Sequence, residues 1–135
     1  MPNYVWCLST EEREAANTTR WAGLTGYRQV PTSRARRVGS LRNTEAGDTV
    51  VIVAHGSPLY LGTSGTQVSY DPTQISNLLI GILDMQDGVR VVLAACNSKL
   101  FAASLEQVIR PKRSHRRVRC VGQDGDFLFG ERFRP

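Results

Sequence analysis

Two apolar runs, each ending in a reactive side chain, constrain this chain more than any other feature. Val50-Val51-Ile52-Val53-Ala54 leads into His55-Gly56-Ser57, and Val89-Arg90-Val91-Val92-Leu93-Ala94-Ala95 leads into Cys96-Asn97-Ser98. Runs rich in β-branched residues, with no polar alternation, read as strands buried on both faces, as in a parallel sheet covered by helices. Open parallel sheets collect their sites beyond the carboxyl ends of neighbouring strands. A histidine and a cysteine delivered to that edge form a candidate chemical pair.

The rest of the chain supplies the elements such a sheet needs. Tyr4-Val5-Trp6-Cys7-Leu8 reads as a strand, and Ser9 and Glu12 have capping-box spacing, which predicts a helix over 10–21 ended by Gly23 and Gly26. The stretch 26–48 shows no sustained period and reads mostly as loop, with room for one short strand or helical turn. Two short alternating pieces around Ser64-Gly65 suggest a hairpin or surface loop after Gly56. Asp71-Pro72-Thr73-Gln74 is the clearest helix start: an N-cap, a proline at the first position and a glutamine at the third, followed by Ile75, Leu78, Leu79, Ile82 and Leu83 at helical spacing. Ser98 starts a further helix over 99–109, with Phe101, Leu105 and Val108 on one face. Val118-Arg119-Cys120-Val121 and Phe127-Leu128-Phe129 are candidate last strands. Alternation of strands and helices predicts an α/β fold: a small, mainly parallel sheet with helices on both faces.

A length of 135 residues suits one domain over 1–135. Hydrophobic residues at 41% and charged residues at 21% are ordinary for a globular chain, which excludes disorder, collagen and coiled coil. No apolar run approaches the roughly 20 residues that span a bilayer, and Met1-Pro2-Asn3-Tyr4 does not open a secretory signal. A cytoplasmic location with no membrane partner is therefore expected. Cys7, Cys96 and Cys120 are an odd number without a C-x-x-C pair, and there are two histidines, so neither a disulfide framework nor a zinc site is expected.

One cysteine and one histidine suffice for acyl transfer, and no cofactor is needed. The thiolate attacks, and the imidazole exchanges protons with the thiol and the leaving amine. Glycine after the histidine lets the backbone approach a substrate carbonyl, and the N–H groups of Gly56 and Cys96 could form an oxyanion hole. Such donors contribute about 2.7–4 kcal/mol to transition-state binding. Singly, a cysteine after a buried strand is more often packing, and a histidine at a strand end more often a hydrogen-bonded surface residue. Paired strand ends separated by a capped helix shift the balance toward a cysteine peptidase.

The order of apolar strand, His-Gly, Gly-rich turn, Asp-started helix, apolar strand and Ala-Cys resembles the caspase-like superfamily of cysteine peptidases. This superfamily includes caspases, metacaspases and the legumain-like, clostripain-like and toxin self-processing peptidases. The matching stretches are Val51-Ile52-Val53-Ala54-His55-Gly56, Gly62-Thr63-Ser64-Gly65 leading to Asp71, and Val91-Val92-Leu93-Ala94-Ala95-Cys96. The resemblance implies a caspase-like α/β/α sandwich, His55 as general acid/base, Cys96 as nucleophile, Gly56 as a backbone oxyanion donor, and a peptide or protein substrate. Caspases proper carry Gln where Ala94 stands, so the likeness is to a minimal member of the superfamily.

Two further features bear on substrate and partner. Asp124 and Asp126 follow the Cys120 strand, where the resembling families build the pocket for the residue before the cut; carboxylates there would suit Lys or Arg. The competing reading is a plain Gly-Asp turn, and Arg13 or the arginines of 34–37 would instead recognise an acidic residue. Arg110, Lys112, Arg113, Arg116, Arg117 and Arg119 put six cations into ten residues within a net charge of +5. They read as a solvated connection, an anion site for a polyphosphate, or a nucleic-acid contact. No aromatic side chains interleave with them, so base stacking is not indicated. A non-catalytic α/β module binding an acidic partner through this run is the rival to the peptidase.

Overall fold

The computed structural model describes residues 3–62 and 69–135. In chain order the elements are β1 (Tyr4–Cys7), α1 (Glu12–Thr25), β2 (Arg28–Gln29), α2 (Arg34–Arg37), β3 (Thr49–Val53), β4 (His55–Gly56), β5 (Leu61–Gly62), β6 (Ser69–Tyr70), α3 (Pro72–Ser76) running into a π-helical segment (Asn77–Ile82), β7 (Arg90–Ala94), α4 (Lys99–Ile109), a 3-10 turn (Arg113–His115) and β8 (Arg119–Val121). Five strands form one all-parallel sheet in the order β2-β1-β3-β7-β8, and β4, β5 and β6 form a small antiparallel sheet. The fold is α/β with helices on both faces, as the alternating elements predict. No helix among the described residues is long and apolar enough to cross a membrane.

The central strands are apolar without alternation because both their faces are covered. Trp6, Ile52 and Leu93 join the core formed with Ile75 and Leu79 on one side and Phe101 and Leu105 of α4. Val5, Val51, Val53, Val92 and Ala94 point the other way and close over Trp21 and Ala22 of α1. Residues two apart share a face and neighbours oppose, so each strand feeds both cores at once. The capping box at α3 forms as the spacing predicts: Gln74 N–H donates to Asp71 Oδ1 at 2.8 Å and Asp71 N–H donates to Gln74 Oε1 at 2.9 Å. Helix α4 occupies 99–109 as expected, although the Ser98 hydroxyl makes no capping bond.

Three expectations need correction. The Ser9–Glu12 capping box does not form: Ser9 Oγ accepts the Glu11 N–H at 3.2 Å in a local turn, and α1 begins at Glu12 and runs to Thr25 before Gly26, at φ 78°, ends it. A hydroxyl that bonds a backbone N–H two residues on competes with capping, which explains the later start. The helix begun at Pro72 widens after Ser76 into a π-helical turn in which Leu83 N–H reaches Leu78 O at 2.8 Å. Among the described residues, 127–129 pair with no strand. A Cβ at Gly122 would overlap the Ser98 carbonyl oxygen, so the backbone crosses tightly over the start of α4 and leaves the sheet. The Gly-rich turn at 63–65 lies outside the described residues.

The segment after β8 covers the α1 face with aromatic rings. Phe129 and Phe133 lie 5.5 and 6.0 Å from Trp21 between ring centroids, Phe127 stands edge-on to Phe133 at 5.2 Å, and Trp21 Nε1 donates to Phe133 O at 2.8 Å. Trp21 is fully buried. Replacing Trp21 by alanine removes the seat of these rings and leaves a cavity, so Trp21→Ala should lower unfolding stability by about 3–5 kcal/mol. Urea denaturation followed by far-UV circular dichroism checks this, and a loss within error of zero would contradict the packing.

Candidate active site

The register of the two central strands sets His55 and Cys96 level. Val53 of β3 pairs with Ala94 of β7, and the next residue continues the contact through Ala54 N–H to Ala94 O at 3.4 Å. His55 is two residues beyond Val53 and Cys96 two beyond Ala94, so both lie at the carboxyl edge of adjacent parallel strands. In the order β2-β1-β3-β7-β8 the connections reverse direction between β1 and β3, and doubly wound sheets place ligands at such a switch point. A cleft of about 360 Å³ opens there, and Glu11, Glu14, His55, Cys96 and Phe127 are among its walls.

Cys96 sits on a sharp turn. Asn97 takes the left-handed conformation at φ 50°, which asparagine tolerates better than most residues, and its N–H donates to Gly125 O at 2.8 Å. Ser98 locks the turn from within: its hydroxyl donates to Ala95 O at 2.7 Å and accepts Gln123 N–H at 3.0 Å. The Cys96 sulfur meets both polar atoms of one residue, accepting Phe127 N–H at 3.2 Å and lying 3.1 Å from Phe127 O. The N–H suits a thiolate and the carbonyl suits a thiol, so Phe127 accommodates either form.

Glycine is required beside the histidine for a spatial reason. A Cβ at Gly56 would overlap the Cys96 carbonyl oxygen and come within 2.7 Å of Ala95 Cβ, so only glycine lets the strand leaving His55 lie against the Cys96 backbone. The imidazole is half exposed and faces α1. His55 Nε2 stands 3.3 Å from Glu11 Oε1 and 3.2 Å from Glu14 Oε1. These carboxylates engage Nε2 and so limit the rotation of the ring. Glu11 and Glu14 are concealed in the sequence because Ser9-Thr10-Glu11-Glu12 has the spacing of a helix start. Acidic residues immediately after the first strand point to them only once the strand order is known.

The remaining candidates fall elsewhere. Asp124 pairs with Lys99 Nζ at 3.3 Å, and neither Asp124 nor Asp126 lines the cleft. Arg13 lines it, whereas Arg34 and Arg37 border a separate groove with Tyr70 and Ile82. The basic run lies toward the opposite edge, where Arg119 opens β8 beside Arg90. Part of it is engaged within the fold: Arg110 Nε donates to Arg116 O, Lys112 Nζ bonds Ser76 Oγ and Arg117 pairs with Asp87. Arg113, Arg116 and Arg119 are exposed and make no ion pair among the described residues. His115, the other histidine, is buried, with Nε2 2.6 Å from Met85 O and Nδ1 2.7 Å from Ser114 Oγ, which marks it as a structural residue.

Compared with protein-family models, curated proteins and solved structures, the chain matches none.

The three thiols differ in setting. Burial, with the Glu106 carboxylate adding to it, pushes the Cys120 thiol up to about 12, and burial also raises Cys7. A thiol raised above its ordinary value stays protonated at pH 8 and reacts slowly. Iodoacetamide at that pH should therefore label Cys96 first, with peptide mass mapping as the readout. Equal labelling of Cys7 or Cys120 in the folded protein would contradict this placement.

Proposed function

We propose that the chain is a cysteine peptidase of the caspase-like type, in which Cys96 and His55 form the catalytic dyad. The observation that carries this reading is the level placement of a thiol and an imidazole on adjacent parallel strand ends, in one cleft at the switch point of the sheet. His55 Nδ1 takes the thiol proton, and the sulfur attacks the peptide carbonyl carbon. The oxygen of the tetrahedral adduct takes its charge toward backbone N–H groups of Gly56 and Cys96. The imidazolium then protonates the departing amine as the C–N bond breaks, and water hydrolyses the thioester to return the thiol. Glu11 and Glu14 orient the ring throughout.

The cleft charges support a basic residue before the cut. Glu11 and Glu14, at the start of α1, outnumber Arg13 there, a negative balance that suits an incoming Lys or Arg, and Asp124 and Asp126 do not line the cleft. The rival, an acidic partner bound by the basic run, draws on exposed Arg113, Arg116 and Arg119 at the far edge.

A fluorogenic peptide library varied at the residue before the cut tests both readings. Turnover is expected with Lys or Arg there, falling about 10⁴-fold or more in Cys96→Ala with the circular dichroism spectrum retained. No turnover of any peptide, together with polyphosphate binding that weakens steeply with salt and is unchanged in Cys96→Ala, would replace the peptidase with the binding module.

A further inference from the structure

Glu11, Glu14 and His55 bring two carboxylate oxygens and one imidazole nitrogen to a common point, with the three atoms within 4.8 Å of one another. A single ring N–H does not serve both oxygens well. A ring N–H points in one direction and serves one oxygen well, and charge-assisted bonds of this kind run to about 2.7–2.9 Å. Here two oxygens approach the same nitrogen at 3.3 and 3.2 Å. Ligands at about 2.0–2.1 Å from a tetrahedral metal stand about 3.3–3.4 Å apart, close to both distances.

Two more observations point to a cation. Glu14 Oε2, the oxygen that does not face His55, is buried and has no hydrogen-bond partner among the described residues, although the side chain as a whole is 24% exposed. No lysine or arginine among the described residues pairs with Glu11 or Glu14, and Arg13 lines the same cleft without forming an ion pair. Two carboxylates facing one another around a single imidazole are balanced by positive charge placed between them.

We propose that Glu11, Glu14 and His55 form a binding site for a divalent cation of the zinc class, with an open coordination position toward the cleft. The nitrogen ligand and the small number of protein donors favour Zn²⁺ or Co²⁺ over Mg²⁺ and Ca²⁺, which prefer oxygen donors and larger coordination numbers. The cation claims the lone pair of His55 Nε2 and fixes the ring as a ligand. A consequence that rests on the peptidase reading is that occupancy suppresses turnover, because a metal-bound imidazole no longer cycles through its protonated form.

Binding is measured first in the full chain carrying Cys96→Ala, which removes the nucleophile from the question. Equilibrium dialysis should give one Zn²⁺ per chain, not displaced by excess Mg²⁺. Co²⁺ should give the intense visible absorption of a low-coordinate site. Glu14→Gln and, as the more exposed alternative, Glu11→Gln should each weaken binding by at least about tenfold with the circular dichroism spectrum unchanged. No Zn²⁺ uptake, or uptake untouched by both variants and by His55→Ala, overturns the site. In the wild-type chain a chelator should raise peptide turnover and Zn²⁺ depress it. Zinc binding with no turnover of any peptide keeps the site and removes the peptidase, whereas turnover indifferent to bound zinc keeps both and removes the regulatory link.

Discussion

Everything at the carboxyl edge depends on the pairing of β3 with β7. With Val53 opposite Ala94, the residues two positions on emerge side by side, and the Gly56 backbone can lie on that of Cys96. A slip of one residue would move one chain by about 3.3 Å and turn every side chain to the other face. Both faces resist this. Trp21 packs over Val51, Val53, Val92 and Ala94 on one side, while Ile52 and Leu93 contribute to the core of α3 and α4 on the other. Two cores that differ in shape determine one register, and that register determines the distance between imidazole and thiol.

The aromatic seat on α1 belongs to the same arrangement. Trp21 holds Phe133 by ring contact and by a hydrogen bond to its carbonyl, and Phe127 packs on Phe133 while its peptide meets the Cys96 sulfur. A buried indole on one helix is thus joined through two phenylalanines to the surroundings of the thiol. The segment after β8 does the work of a covering helix on this part of the sheet, and it also forms one wall of the cleft. Loosening of the ring cluster would therefore be felt at Cys96 as a change in its hydrogen-bond partners as well as in overall stability.

The elements legible in the sequence were those whose signal is local. Continuous apolar runs marked β3 and β7, an Asp-Pro start marked α3, and Ser98 with apolar spacing marked α4. His55 and Cys96 followed from the strands that carry them, and the cleft contains both. What was missed depends on contacts between distant segments. Phe127-Leu128-Phe129 has the composition of a strand, but its partner is Trp21, more than a hundred residues earlier, and side-chain packing there replaces ladder pairing. Glu11 looks like a helix-start residue because capping chemistry and site chemistry use the same side chains. Only the switch in strand order, which no local pattern reveals, brings α1 beside the end of β3. Asp124 follows β8 in the chain, but it pairs with Lys99 at the start of α4 and does not line the cleft.

His55 stands between two demands that thermodynamics links. Its Nε2 faces Glu11 and Glu14, and its ring borders the cleft that holds Cys96. On the proposed readings, the ring that exchanges protons with Cys96 and the ring bound to a cation are different states of the same imidazole, so each disfavours the other. What selects between them is free cation concentration relative to its dissociation constant, and the free energy involved grows only logarithmically beyond that constant. Linkage is reciprocal: a ligand at Cys96 that needs the imidazolium must weaken cation binding by the factor by which the cation weakens it. The cluster that orients the ring is thus the same cluster that the proposal assigns to the cation. The ambivalence follows from placing two acidic side chains, unpaired with any lysine or arginine among the described residues, at the switch point of the sheet.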